Sequence, residues 1–226
     1  MQQDEPATDE QALDPPLDIR EPAYLRWAAL SSLVAVALMV IMAVPALRDV
    51  VMPIDEWLWE LAVNNEYPLL VTGAEALDHA GGVIAKIALT VVGAAVLAWQ
   101  RRWTAFAVWL VVIALATGLN AGIKAVYDRP RPPLGLDEHF TGSFTSGHVL
   151  TAAVMVLLLV LTWTPAGPRR RNLLVVGAVW LVLMAASRMY LRVHWFTDVT
   201  AGLAVGAAFS LALLLLASWW LARSTD

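Results

Sequence analysis

Cysteine is absent from the 226 residues, which excludes disulfides, thiol nucleophiles and cysteine metal sites together. Charge is scarce as well. Only 15% of the chain is Asp, Glu, Lys or Arg, and no basic footprint of the kind that follows nucleic acid occurs, so no nucleic-acid partner is expected. Lysine is rare beside arginine and alanine is abundant, a bias that fits a GC-rich bacterial source. Met1–Glu21 has no basic region ahead of a short apolar core and is not expected to be a signal peptide. Seven acids and no apolar periodicity fill those 21 residues, and residues 1–22 are expected to be a disordered acidic tail.

What remains is apolar. Hydrophobic residues make up 59% of the chain, above the near-half of a soluble domain, and they fall in runs too long for a soluble core. A bilayer takes about 20 apolar residues per helical crossing. Six such stretches occur, roughly Leu25–Leu47, Gly82–Trp99, Trp103–Val126, His148–Trp163, Leu173–Leu191 and Asp198–Leu221. The expected fold is an all-α membrane protein with six transmembrane helices, forming one domain over residues 23–226.

Orientation follows from short basic loops. Arg101 and Arg102 separate spans two and three, Arg169, Arg170 and Arg171 separate spans four and five, and neither loop contains an acid. That side is expected to be cytoplasmic, with both termini. The other side then carries residues 48–81, 127–147 and 192–197. Residues 48–81 mix six acids from Asp55 to Asp78 with Trp57, Trp59 and apolar residues at helical spacing. They read as one or two short interfacial helices between spans one and two, or as a packed extracytoplasmic loop. Lys124, Arg129, Arg131, Arg188 and Arg192 also fall on this outer side, against the charge rule; a bound anion would account for them.

Three segments on that face carry chemistry. His194 and Asp198 are four residues apart, so a helical turn puts them on one face, and the carboxylate can fix the imidazole tautomer and leave Nε2 as a lone pair. Arg188, upstream at the end of an apolar helix, offers a planar fork for phosphate oxygens. Ser146 and Gly147 precede a helix whose unpaired N–H groups favour an anion, and Gly147 lets the backbone approach it closely. His148 beside them is the natural general acid. Lys124 and Arg131, seven residues apart around Pro130 and Pro132, add cations for the charge that phosphoryl transfer spreads over three oxygens.

These segments resemble the three motifs of the type-2 phosphatidic acid phosphatase and haloperoxidase superfamily. Lys124, Arg131 and Pro132 meet the first, and Ser187, Arg188, His194 and Asp198 meet the third in full. Ser146, Gly147 and His148 meet the second, where Thr145 replaces the usual proline, a change expected to alter loop stiffness and not chemistry. The resemblance covers roughly residues 50–220. It implies that His194 attacks phosphorus, that Asp198 orients it, and that His148 protonates the leaving group and then activates water. It also implies that Lys124, Arg131, Ser146, Gly147 and Arg188 hold the phosphate, with no metal or other cofactor.

The expected activity is therefore hydrolysis of a lipid phosphate at the outer face of a bacterial cytoplasmic membrane. Among the family's substrates, a polyprenyl diphosphate such as undecaprenyl diphosphate suits a bacterial chain with an outward-facing site, and phosphatidic acid, diacylglycerol pyrophosphate and phosphatidylglycerophosphate are close rivals. Transfer to another hydroxyl is the rival chemistry. A flippase or lipid-binding protein would need the cations but no oriented histidine pair, and a peroxidase of the same superfamily would not carry six apolar spans. Arg129 and Arg192 lie outside the motifs and are expected to steer anionic head groups. Lys86 reads as a snorkelling lysine, His79 and His139 as surface residues, and the eleven tryptophans mostly as an interfacial belt.

Overall fold

The computed structural model describes residues 19–136 and 141–223. Most of the expected tail, and His139, lie outside these. Among the described residues there are eight helices and no strand: α1 Pro22–Ala43, α2 Pro45–Asn64, α3 Pro68–Gly81, α4 Val83–Trp99, α5 Trp103–Tyr127, α6 Gly147–Trp163, α7 Pro168–Tyr190 and α8 Phe196–Arg223. Proline opens α1, α2, α3 and α7, where its missing N–H costs nothing and its fixed φ suits the first turn.

Four helices, α1, α5, α7 and α8, are long and apolar enough to cross a membrane. The pair α3 and α4, bent at 40°, makes a fifth crossing if taken as one, and α6 is apolar but only 17 residues long. This is a multi-pass membrane protein. Two expected boundaries are corrected. The first span does not run to Leu47, because Pro45 drives Val44 into extended backbone (φ −104°, ψ 109°) and α1 stops at Ala43. The second, Gly82–Trp99, needs only one residue of change, since α4 begins at Val83 and follows α3 through an extended Gly82.

The 48–81 segment is helical throughout most of its length, as α2 and α3. Both are pinned to the rest of the fold. The Tyr190 hydroxyl donates to the Asn65 carbonyl (2.8 Å) and accepts from the Tyr67 N–H (2.9 Å), and the Trp59 indole donates to the Pro133 carbonyl (2.9 Å).

Burial is greatest on α6 and α8. Their contact rests on Gly202 and Gly206, one turn apart. A Cβ at Gly202 would lie 2.7 Å from the Ser146 carbonyl oxygen, and one at Gly206 would lie 2.6 Å from that of Leu150. Between apolar helices in lipid, such backbone approach, not water exclusion, supplies the attraction. Some tryptophans belong to this core and not to a belt. Trp109 is fully buried, meets Trp163 edge-on at 5.1 Å, donates to the Thr90 carbonyl and fills the space left by Gly93. Trp27, Trp57, Trp99, Trp103, Trp219 and Trp220 are exposed on the bundle surface, as expected.

The two basic loops meet one end of α6. Arg102 donates to the Thr162 carbonyl (2.9 Å) and Arg170 to that of Thr164 (2.7 Å). At 1.5 Å per residue the opposite end of α6, at Gly147, is roughly 25 Å away, and there the three motif segments gather.

Candidate active site

Two chain reversals aim the motifs. Asp128 ends α5 in the left-handed region (φ 33°) and turns the chain into Arg129–Pro132. Arg192, just past α7, is also left-handed (φ 55°). Such conformations cost a non-glycine residue of order 1 kcal/mol or more and persist where surrounding contacts impose them. The Arg188 carbonyl accepts from the Val193 and His194 N–H groups (3.2 and 3.3 Å), which swings His194 back over the end of α7.

His194 is almost wholly buried, between a carboxylate and a guanidinium. Its Nδ1 is 3.6 Å from Asp198 Oδ2, within ion-pair reach but beyond a hydrogen bond. Its Nε2 is 3.4 Å from Arg131 NH1. Arg131 is oriented by donating to the Thr141 carbonyl (2.9 Å) and the Val193 carbonyl (2.7 Å), and Lys124 Nζ donates to the Gly142 carbonyl (2.6 Å). Burial pushes the His194 pKa down to about 3, outweighing the neighbouring Asp198, which acts the other way. The imidazole is therefore neutral at ordinary pH, with a lone pair available.

Asp198 is fully buried at the start of α8, and both its oxygens are engaged. Oδ2 accepts from the Trp195 N–H (2.9 Å), and Oδ1 accepts from Arg129 NH1 (2.6 Å). The expected role of Arg129 in steering head groups is thus corrected. It is buried and bridges two carboxylates, with NH2 on Asp55 Oδ2 at 2.7 Å. Asp55, from α2, also accepts from the Thr197 N–H (2.9 Å) and hydroxyl (2.6 Å). Arg192 is corrected likewise: it is buried and paired with Glu66 at 2.8 Å.

A second cluster holds Arg188 and His148. Arg188 is fully buried and ion-paired with Asp78 of α3, and His148 Nε2 is 3.1 Å from the same Asp78 oxygen. The expected partner of Arg188 was a phosphate; its side chain meets a carboxylate here. The Ser146 N–H donates to the Asp198 carbonyl (3.0 Å), linking the Ser146–Gly147 turn to the first cluster. Ser146 Oγ is buried without a hydrogen-bond partner among the described residues. Thr145, at the usual proline position, is buried, and its hydroxyl donates to Asn120 Oδ1 (3.1 Å). His79 is exposed and bonded only within its own helix, to the Glu75 carbonyl (2.7 Å).

A cavity of about 570 Å³ opens between α2, α3, α7 and α8, with Leu61, Leu70, Leu181 and Val199 among its walls. It shares Leu58, Met189 and Phe196 with a small pocket that contains Asp55 and His194. The apolar cavity and the pocket of the buried histidine therefore have part of their walls in common.

An all-helical membrane bundle with an oriented histidine, a second histidine and several cations at one end defines the class: a membrane phosphatase. The chain belongs to the PAP2 superfamily, whose model matches residues 105–222. Phosphatidylglycerophosphatase B of Bacillus subtilis (strain 168) is 31% identical over 183 residues, covering 77% of this chain and 86% of the relative. A crystal structure described as the first transmembrane PAP2-type phosphatidylglycerolphosphate phosphatase from Bacillus subtilis superposes with a TM-score of 0.71 at 26% identity, covering 87% of this chain and 96% of that one. The Aquifex aeolicus LpxE crystal structure shares the fold, with a TM-score of 0.59 at 21% identity over 72% of this chain and 95% of that one.

Proposed function

We propose that this protein is a metal-independent lipid phosphatase that works through a phosphohistidine, with phosphatidylglycerophosphate as the first substrate to test. The observation that carries the reading is the placement of His194, neutral and buried, with Nδ1 toward Asp198 and Nε2 toward Arg131. A phosphoryl group held by Arg131, Lys124, Arg188 and the Ser146–Gly147 turn lies in line for the Nε2 lone pair. As the N–P bond forms, the P–O bond to the lipid breaks and His148 gives its proton to the departing oxygen. Water then attacks the phosphohistidine, His148 takes a proton from it, and inorganic phosphate leaves with His194 restored. Asp198 stabilises the positive charge that develops on the imidazole.

The apolar cavity supports a lipid over a soluble phosphate ester, because its shared wall with the His194 pocket lets an acyl chain stay among helices while the head group reacts. The resemblance to phosphatidylglycerophosphatase B supports testing phosphatidylglycerophosphate before phosphatidic acid, diacylglycerol pyrophosphate and undecaprenyl diphosphate. In the proposed topology six crossings, α1, the bent α3–α4 pair, α5, α6, α7 and α8, put the basic loops in the cytoplasm and the site at the outer face of a bacterial inner membrane. The domain is residues 23–226.

The test is phosphate release in detergent with excess chelator across those four lipids. Hydrolysis of at least one, lost in His194→Ala with the protein still folded, is expected. Release at the wild-type rate by the variant, or a strict metal requirement, would overturn the reading.

A further inference from the structure

Asp78 lies outside every segment that carries the motifs, yet its carboxylate touches two of their residues. It ion-pairs with Arg188, and the same oxygen is 3.1 Å from His148 Nε2. The approach is built into the backbone. α3 ends at Gly81 and Gly82, where a Cβ on Gly81 would meet Met184 Cε at 2.4 Å and His148 Cδ2 at 3.4 Å, and one on Gly82 would come within 3.9 Å of His148 Nε2. The end of α3 therefore packs directly against the His148 ring.

We propose that Asp78 is the resting counter-ion of the phosphate cradle, occupying Arg188 until a substrate phosphoryl group displaces it. This rests on the function proposed above. A guanidinium buried in an apolar helix end needs a counter-charge, and carboxylate and phosphate oxygens satisfy its fork in the same way. Of the two partners, Arg188 is wholly buried whereas the Asp78 side chain is 22% exposed, so Asp78 is the one that can swing aside.

The consequence concerns occupancy, not preference between anions. Every anion that needs Arg188 has its affinity lowered by the same factor, the fraction of sites in which Asp78 has let go. A terminal phosphomonoester, with close to two charges, still binds. A phosphodiester lipid, with one charge and present in large excess in the bilayer, is held below occupancy. Asp78 thus lowers how often a weakly bound bulk lipid fills the basic site, without changing the order in which anions are preferred.

The experiment compares wild type with Asp78→Asn and Asp78→Ala, using orthovanadate and phosphatidylglycerol in mixed micelles as probes. Inhibition constants are measured where activity survives, and protection against thermal unfolding is measured in every case. Glu75→Gln, one turn back on the exposed face of α3, controls for general loss of negative charge. Both probes should bind the Asp78 variants tighter, by about 10- to 100-fold for release of a charged hydrogen bond, and by similar factors, with Glu75→Gln unchanged. A purely structural carboxylate would not raise affinity. Unchanged or weaker vanadate binding in folded variants would overturn this inference alone, whereas a wild type that binds no vanadate would overturn it together with the proposed function.

Discussion

Replacing Arg129 by Met tests the buried charge cluster behind His194, the proposed nucleophile. Arg129 holds Asp198 at 2.6 Å and Asp55 at 2.7 Å, and all three side chains are buried. Two carboxylates around one guanidinium leave a net charge of −1 facing His194. Removing the cation leaves two buried carboxylates without it, and breaking a buried pair in this way costs about 3–5 kcal/mol, a large share of a typical 5–15 kcal/mol stability. Asp198 also loses one of its two anchors. The orienting carboxylate then shifts relative to Nδ1, and kcat should fall by about 10- to 100-fold, as for other residues that act through a ligand or triad member. KM should barely change, because the guanidinium faces carboxylates and not phosphate. Arg129→Lys keeps the charge but reaches one carboxylate and not both, so it should recover part of the stability and less of the rate. Thermal unfolding in detergent and phosphate release under saturating lipid measure both effects. An Arg129→Met protein with wild-type kcat and melting temperature would refute the reasoning, and a loss confined to KM would return Arg129 to head-group binding.

Four further outcomes are expected. The imidazole of His194, followed by NMR with His194→Ala for assignment, should remain neutral to well below pH 5, since its pKa is lowered from 6.5 to about 3; a midpoint near 6.5 would contradict the burial argument. Because that folded value lies below the unfolded one, the unfolded chain takes up the proton first, so this group's stabilising contribution is intact above pH 6.5 and is lost as pH falls toward 3, by up to about 1.4 kcal/mol per pH unit. Gly202→Ala forces a methyl to within 2.7 Å of the Ser146 carbonyl, so it should destabilise by about 1–3 kcal/mol and weaken vanadate inhibition by shifting the Ser146–Gly147 turn. His148→Ala should lower the rate by about 10² to 10⁴, with part of it recovered on a substrate whose leaving group needs no proton.

Much of this was legible in the sequence, for a physical reason: the motif residues are tied to helix ends, and helix ends are set by proline, glycine and the limits of apolar runs. Lys124, Ser146, Gly147, Arg188, His194 and Asp198 all lie within a turn or two of an end, so knowing the spans fixes their side of the bundle. Side-chain partners were not legible to the same degree. Arg129 and Arg192 read as surface cations because their counter-ions, Asp55 and Glu66, come from a segment of mixed polarity with no motif of its own. Nor does periodicity say whether an acid in such a segment faces solvent or core; Asp55 is 1% exposed although its neighbours Ile54 and Trp57 are exposed. One signal was available: five cations gathered on one face require acids nearby, and residues 48–81 hold most of those outside the tail.

That charge balance also explains why α2 and α3 belong to the enzyme and are more than a connector. The family model begins at residue 105 and includes all the motif residues, yet within residues 105–222 the buried guanidinium of Arg188 would lose Asp78, and that of Arg129 would keep Asp198 but lose its second carboxylate, Asp55. Buried cations without counter-charges are costly in any protein and more so at the edge of a bilayer. The two acids are also deployed differently. Asp55 is fully buried, held by three donors and closed to substrate, which suits a part that fixes the triad. Asp78 is partly exposed and meets the site through Arg188 and His148, which suits a part that yields to substrate. In the proposed mechanism, exchanging their burial would lock the phosphate cradle and loosen His194, so the difference in exposure between two aspartates of neighbouring helices would let one charge cluster serve structure and the other serve binding.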